Sequence, residues 1–192
     1  MRSIIFNCPP QAGKDTIADL YVSRHPNSEK KMFKKLLFDV ALLISGVSEK
    51  DWFSRYEKNK NDSWDKLGGL SQREYLIRIS EDWIKPTHGQ SYFGIHLANS
   101  LTEDRTYIIS DGGFDDEIKP LFDVPSNDVL IVQWGRTGCD FSNDSRDWII
   151  NYPENTIRIS DNNTDIETHY KIVENAIASY FYSLRNTRRT LA

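Results

Sequence analysis

Four short apolar runs set the limits on how this chain folds. They are Ser3 to Cys8 (Ser-Ile-Ile-Phe-Asn-Cys), Thr106 to Ser110 (Thr-Tyr-Ile-Ile-Ser), Val129 to Trp134 (Val-Leu-Ile-Val-Gln-Trp) and Thr156 to Ser160. Each is too short for a helix, and the first three do not alternate apolar with polar as a strand with one wet face would. They therefore read as strands buried on both faces. Between them lie segments with helical periodicity, and that alternation predicts an α/β fold with a parallel sheet covered by helices. Ligands of such sheets bind at the carboxyl ends of the strands. Three polar groupings fall at such ends here: Pro9–Thr16, Asp111 and Arg136.

The helical segments are legible from their apolar spacing. Ile17, Leu20 and Tyr21 mark a helix after Gly13 that Pro26 ends. Phe33, Leu36, Leu37, Val40, Ala41 and Ile44 mark a second, stopped by Gly46. Ser48 and Glu49 are placed to restart one. Residues 55–69 are polar and read as a mobile loop. Ser71 with Glu74 forms a capping box before the stripe Leu76, Ile79 and Trp83. Further helices are expected near Ser91–Leu101, over Glu117–Phe122, and along a C-terminal stripe from Ile166 to Leu184. Residues 137–148 are polar without an apolar period.

At 192 residues, 39% hydrophobic and 27% charged, the chain is expected to form one globular domain. Two cysteines, Cys8 and Cys139, exclude a disulfide framework and a four-cysteine zinc site, and suit a reducing cytoplasm. The start, Met-Arg-Ser-Ile-Ile-Phe-Asn, is not expected to act as a signal peptide, and no apolar run reaches membrane-spanning length. The net charge is −4, yet residues 1–60 carry 11 Lys and Arg against 7 Asp and Glu. An acidic whole argues against general nucleic-acid binding. A basic first third suits a small anionic ligand, or is an uneven solvated surface.

The sharpest local pattern is Cys8-Pro9-Pro10-Gln11-Ala12-Gly13-Lys14-Asp15-Thr16. A phosphate loop needs backbone N–H groups aimed at phosphate oxygens from the positive end of a helix. It also needs a glycine for close approach and a lysine for the β- and γ-phosphates. Gly13 and Lys14 match those positions between a strand and a helix. Asp15 stands where a hydroxyl residue is usual, Thr16 comes one later, and Cys8 replaces the first glycine. A proline-rich turn into a helix would share this look.

Asp111 ends a strand, where a carboxylate can hold a Mg²⁺ water or orient an acceptor, or simply make the turn with Gly112 and Gly113. Arg136 and Arg146 flank a polar segment and can close over transferring phosphates, or lie solvated among Asp140, Asp144 and Asp147. Arg73 sits in a first helical turn, an unfavourable place for a cation unless it faces a bound anion. The histidines His25, His88, His96 and His169 show no metal spacing. Most of the five tryptophans are expected in the core.

Taken in order, these segments resemble the deoxynucleoside monophosphate kinases of bacteriophages, a branch of the P-loop kinases. The resemblance rests on Gly13-Lys14-Asp15-Thr16-Ile17-Ala18-Asp19 and on Leu70-Ser71-Gln72-Arg73-Glu74-Tyr75-Leu76. It rests also on Tyr107 through Glu117 and on Val132-Gln133-Trp134-Gly135-Arg136. Gly113 stands where that family usually carries an arginine. The resemblance implies a three-layer α/β/α P-loop kinase fold with a mostly parallel sheet over residues 1–192. Within it, residues 34–104 would form a helical acceptor-binding region and 135–150 a lid. It implies ATP-dependent phosphorylation of a nucleoside monophosphate, in DNA precursor supply, with ATP as donor and Mg²⁺ as cofactor. Gln11, Ala12, Gly13, Lys14, Asp15 and Thr16 would bind ATP. Lys14, Arg73, Asp111, Arg136 and Arg146 would be catalytic, and Asp15, Thr16 and Asp111 would serve the metal. Tyr75, Trp64 and Trp83 are the aromatic candidates for stacking on the acceptor base. No membrane or stable nucleic-acid partner is expected, and a homodimer is compatible with the pattern. The same features also fit a P-loop kinase acting on another small phosphorylated or modified-nucleotide acceptor, or an inactive nucleotide-binding regulator.

Overall fold

The computed structural model describes residues 1–142, 144–161 and 163–191. Five strands form one wholly parallel sheet in the order β2-β3-β1-β4-β5. They are β1 (Arg2–Phe6), β2 (Ser28–Lys31), β3 (Thr106–Ile109), β4 (Asp128–Gln133) and β5 (Thr156–Arg158). The β-branched and aromatic run of β1 pairs with β3 on one side and β4 on the other. Its carboxyl end therefore lies where the strand order switches direction, the position at which such sheets leave a crevice.

Alternation along the strands divides the core. Ile4 and Phe6 face one side with Ile108, Leu130 and Val132, under helices α1 (Lys14–Arg24) and α8 (Ile166–Leu191). Ile5, Ile109 and Ile131 face the other, under α6 (Tyr92–Asn99) and α7 (Asp115–Phe122). The result is a three-layer α/β/α arrangement. No helix among the described residues is long and apolar enough to cross a membrane.

Between β2 and β3 the chain builds a helical body with its own core. Helices α2 (Lys35–Ser45), α3 (Glu49–Asn59) and α4 (Gln72–Ile77) enclose Phe38, Ala41, Trp52 and Leu76. Helix α4 runs on without a break through a π-helical stretch, Arg78–Ile84, into α5 (Lys85–His88). The capping box expected at Ser71 and Glu74 is present in both directions.

Three local expectations need correction. Residues 55–69 are not one loop. Helix α3 continues to Asn59, a 3₁₀ turn covers Asp65–Leu67, and Ser63 bridges to Ser71. Polar composition hid these because α3 buries only part of its surface. The helix beginning at Gln72 widens into π geometry, which apolar spacing at 3.6 residues does not reveal. Strand β2 (Ser-Glu-Lys-Lys) lacks an apolar run because it is an edge strand, where lysines guard an open ladder.

Helices α6 and α7 meet at Gly94, where a Cβ would overlap the backbone carbonyl of Glu117. Backbone cannot swing aside as a side chain can. Gly94→Ala is therefore expected to cost about 3 kcal/mol, read as a lower urea midpoint with an unchanged slope.

Candidate functional site

The segment after β1 is shaped by where its carbonyls go. Ala12 N–H closes a turn onto the Pro9 carbonyl at 3.3 Å. The Trp134 indole donates to the Ala12 carbonyl at 2.9 Å, and Arg136 Nη1 to that of Gln11 at 3.3 Å. Gln11 (φ 64°) and Gly13 (φ 88°) take left-handed backbone. Gly13 then caps α1 without a side-chain hydrogen bond. The first-turn N–H groups of α1 are consequently free of any side-chain cap, at the positive end of the helix dipole. Cys8 does not intrude on this loop. It is buried in the core beneath it, with Sγ 3.9 Å from the Val132 carbonyl, and burial pushes its thiol pKa far up.

This loop forms one wall of a cavity of about 640 Å³, a size suited to a small-molecule ligand. Pro10, Gln11, Lys14 and Asp15 line it. Lys34, Lys60, Arg73 and Arg146 bring further cations to it from four different segments. The Lys14 ammonium folds back to the Pro9 carbonyl at 3.3 Å. Burial, and then Arg146, lowers its pKa. Lys60 is lowered by burial and by Lys34, Arg73 and Arg146. Burial acts first on both lysines, and Arg146 adds to each. The cations of the wall are matched in number by Asp15, Glu81, Asp111, Glu117, Asp140 and Asp144, but they converge from separate elements, an arrangement that suits a polyanion.

The carboxylates present are largely committed. Asp111 accepts backbone N–H groups at both oxygens, from Phe33 at 3.1 Å and Lys34 at 3.2 Å. It thereby fastens the start of the helical body to the end of β3. Asp15 Oδ1 accepts the Ser110 hydroxyl at 2.6 Å and lies 3.5 Å from Lys30 Nζ. Burial opposes its charge, but Ser110, Lys30 and Lys14 together hold it below the usual carboxylate range. Asp144 is held down to about 2, chiefly by its hydrogen bonds from Arg146.

The segment between β4 and β5 lies over the cavity with Gly138, Cys139, Asp140, Asp144, Ser145 and Arg146 on the wall. Gly135 N–H is anchored on Asp161 at 3.1 Å. The return is anchored by two buried amides. Asn7 donates to the Asp147 carbonyl at 2.9 Å and accepts from Ile149 N–H at 2.9 Å. Gln133 donates to Asn7 at 2.7 Å and to the Ile149 carbonyl at 2.8 Å. The stem of Arg146 occupies the space beside Gly113, where a Cβ would lie 2.5–2.6 Å from its Cβ, Cγ and Cδ.

Of the residues expected from sequence, Gln11, Lys14, Asp15, Arg73, Asp111 and Arg146 come together on the cavity wall. Thr16 is exposed one position round the helix and does not line it. Arg136 is likewise off the wall, exposed and bonded to the loop carbonyl. Trp64, Trp83 and Tyr75 do not line the cavity either. Trp83 is half exposed, and Tyr75 and Trp64 pack towards Trp52. The rings on the wall are Phe33, Tyr56, Phe93 and Phe114. Sequence reasoning gave no role to Lys34, Lys60, Glu81 and Lys85, and met Glu117 only as the end of a segment that carries the family resemblance. Their signal was weak, because each sits in an ordinary charged stretch and only the fold assembles them.

Glu117 is the most perturbed carboxyl of the site. Burial first, and Asp111 second, push it up to about 7. The unfolded chain gives up that proton near 4.5, so the folded state holds it over the window between. Stability is therefore expected to fall by roughly 1 kcal/mol per pH unit from about pH 4.5 to about pH 7. In Glu117→Gln this component is absent, and urea denaturation at pH 5 and pH 8 is expected to find the variant gaining on wild type at the higher pH.

No protein-family model matches the chain, and no curated protein matches it. Among solved structures it is similar to the crystal structure of a gluconokinase from Sinorhizobium meliloti 1021. The TM-score is 0.44 at 13% identity, over 98% of this chain and 96% of that one. A likeness at that level leaves the chemistry to the residues of this chain.

Proposed function

We propose that this protein transfers the γ-phosphoryl group of ATP to a nucleoside monophosphate. The observation that carries the reading is the uncapped start of α1, with Lys14 beside it, opening into a cavity to which Lys34, Lys60, Arg73 and Arg146 also contribute. One phosphate does not call for five cations from five segments, whereas a triphosphate meeting an acceptor phosphate does. The order of motifs shared with the phage nucleotide kinases supports the same reading.

In this mechanism the α1 N–H groups and Lys14 cradle the donor phosphates. Arg73, paired by its backbone N–H to the Lys60 carbonyl at 3.0 Å, holds the acceptor phosphate. Arg146 stabilises the charge that spreads over the transferring group. Arg136 steadies the loop through Gln11. The segment over the cavity excludes water, so that the acceptor oxygen and not solvent attacks in line. Asp111 positions the backbone of Phe33 and Lys34 at the cavity edge.

Mg²⁺ would enter with ATP, where it supplies neutralisation of phosphate charge. Among the described residues no group of three or more His, Cys, Asp or Glu gathers. Mg²⁺ commonly keeps a shell of phosphate and water and touches only one or two carboxylates. Asp15 fits, since its bonds to Ser110 and Lys30 engage only one oxygen. Asp111 lines the same cavity. Thr16, off the wall, fits less well.

A coupled assay for ADP release, with ATP·Mg²⁺ and each common ribo- and deoxynucleoside monophosphate, tests the reading. Diphosphate formation is expected, reduced at least about 10²-fold in Lys14→Ala and in Arg146→Ala. Gly113→Ala is expected to lose as much as Arg146→Ala, because the added methyl takes the space of the arginine stem. Silence across the panel with ATP still bound would overturn the monophosphate acceptor.

A further inference from the structure

The wall formed by the α4–α5 helix and by α7 carries a group that phosphoryl transfer does not use. Glu117 lies in the first turn of α7, lines the cavity and is only 8% exposed. Its carboxyl takes no hydrogen bond among the described residues, and only charges act on it. Those charges are Asp111 from the end of β3, Glu81 and Lys85 from the α4–α5 helix, and Arg146 from the segment above. Of its neighbours on the helix, Glu81 is itself a carboxylate, and Lys85 acts on it through charge alone. Glu81 already accepts the Ser80 hydroxyl at 2.8 Å and pairs with Lys85 at 2.7 Å. Lys85 in turn lies 5.2 Å over the Phe114 ring.

The π-helical stretch builds this corner. Its wider turn brings Lys85 to the cavity below Ser80 and Glu81, while Ile84 goes into the core of the helical body. Such widened turns are frequent at functional sites. The same cavity also has apolar lining, with Leu76, Ile77, Phe93 and Phe114. A buried carboxyl without a donor is costly unless a ligand supplies one. Apolar walls ending in a carboxyl suit a flat heteroaromatic ring, not a polyol that needs partners along its length.

We propose that Glu117 selects the base of the acceptor, its two oxygens taking the paired N–H donors that guanine presents at N1 and N2. This rests on the nucleotide-acceptor reading above. Adenine and cytosine set an amino group beside a ring-nitrogen lone pair, which a carboxylate repels. Thymine and uracil flank a single N–H with two carbonyls. A site built for two donors rejects ligands that lack them far more strongly than a greasy pocket rejects a methylene.

The test is calorimetric titration at pH 8, above the range in which Glu117 holds its proton, of wild type and Glu117→Gln with the monophosphates of guanosine, inosine, adenosine, cytidine and uridine, with turnover measured in parallel. In wild type, the guanine nucleotide is expected to bind about 10² times tighter than the adenine, cytosine or uracil ones. The inosine nucleotide, which lacks only the 2-amino group, is expected to bind about 10 times weaker than guanine. Glu117→Gln offers one acceptor and one donor, and is expected to lose the guanine preference and gain for adenine and cytosine. Equal binding of guanine and inosine nucleotides, or an unchanged order in the variant, overturns the assignment. The guanine–inosine comparison decides on wild type alone should the variant not fold. Turnover without base preference overturns Glu117 and leaves the kinase standing. The expected binding order without ADP formation overturns the kinase and leaves Glu117. Failure of every monophosphate to bind overturns both.

Discussion

The side chain of Asn7 holds the site together. It sits at the carboxyl end of the central strand, fully buried, with both its carbonyl and its amide engaged. Through Gln133 it joins the ends of β1 and β4, and through Asp147 and Ile149 it fixes the return of the segment over the cavity. A buried amide left half satisfied would be costly, so this junction has one low-energy arrangement. Everything that must be placed within tenths of an ångström follows from it. The loop leaves β1 one residue later, and Arg146 lies one residue before Asp147.

Rigidity of that kind matters because the cavity sets like charges close together. Arg146 disfavours the charge of both Lys14 and Lys60, and Lys34 and Arg73 lower Lys60 further. Asp144 compensates Arg146 directly, and Asp15 is tied up with Ser110 and Lys30. The cations stay close because each comes from a separately anchored element: α1, the start of α2, the end of α3, α4 and the pinned segment. Loose loops would let the charges drift apart into water.

The sheet and the helices flanking it were legible in the sequence, because strands buried on two faces and amphipathic helices leave periodic marks. The phosphate-loop candidate was legible for a related reason, since Gly13 and Lys14 are local requirements of one turn. What escaped was set by tertiary contact. Strand β2 carries no apolar run, since its sheet edge is open. The π-helical turn has no signature at α-helical spacing. Asn7 and Gln133 look like polar interruptions of apolar strands, and their role depends on residues more than a hundred positions away. Trp83 belongs to a buried stripe by spacing, yet the fold leaves it half exposed.

Gly113 shows how an apparent gap can be a fit. In sequence it reads as a missing side chain at the edge of the site. In the fold its bare backbone admits the stem of Arg146, which delivers a guanidinium from another segment to the same place. The cavity is then left with two unmet demands on different walls. Cations from separate elements crowd one wall, and another holds a largely buried carboxyl with no hydrogen bond among the described residues. Both features cost the empty protein stability. A fold tolerates such strain where a ligand relieves it. A molecule with phosphate at one end and N–H donors at the other, joined by a flat apolar face, would relieve both at once. On this argument the substrate is the part that completes the electrostatics of the fold.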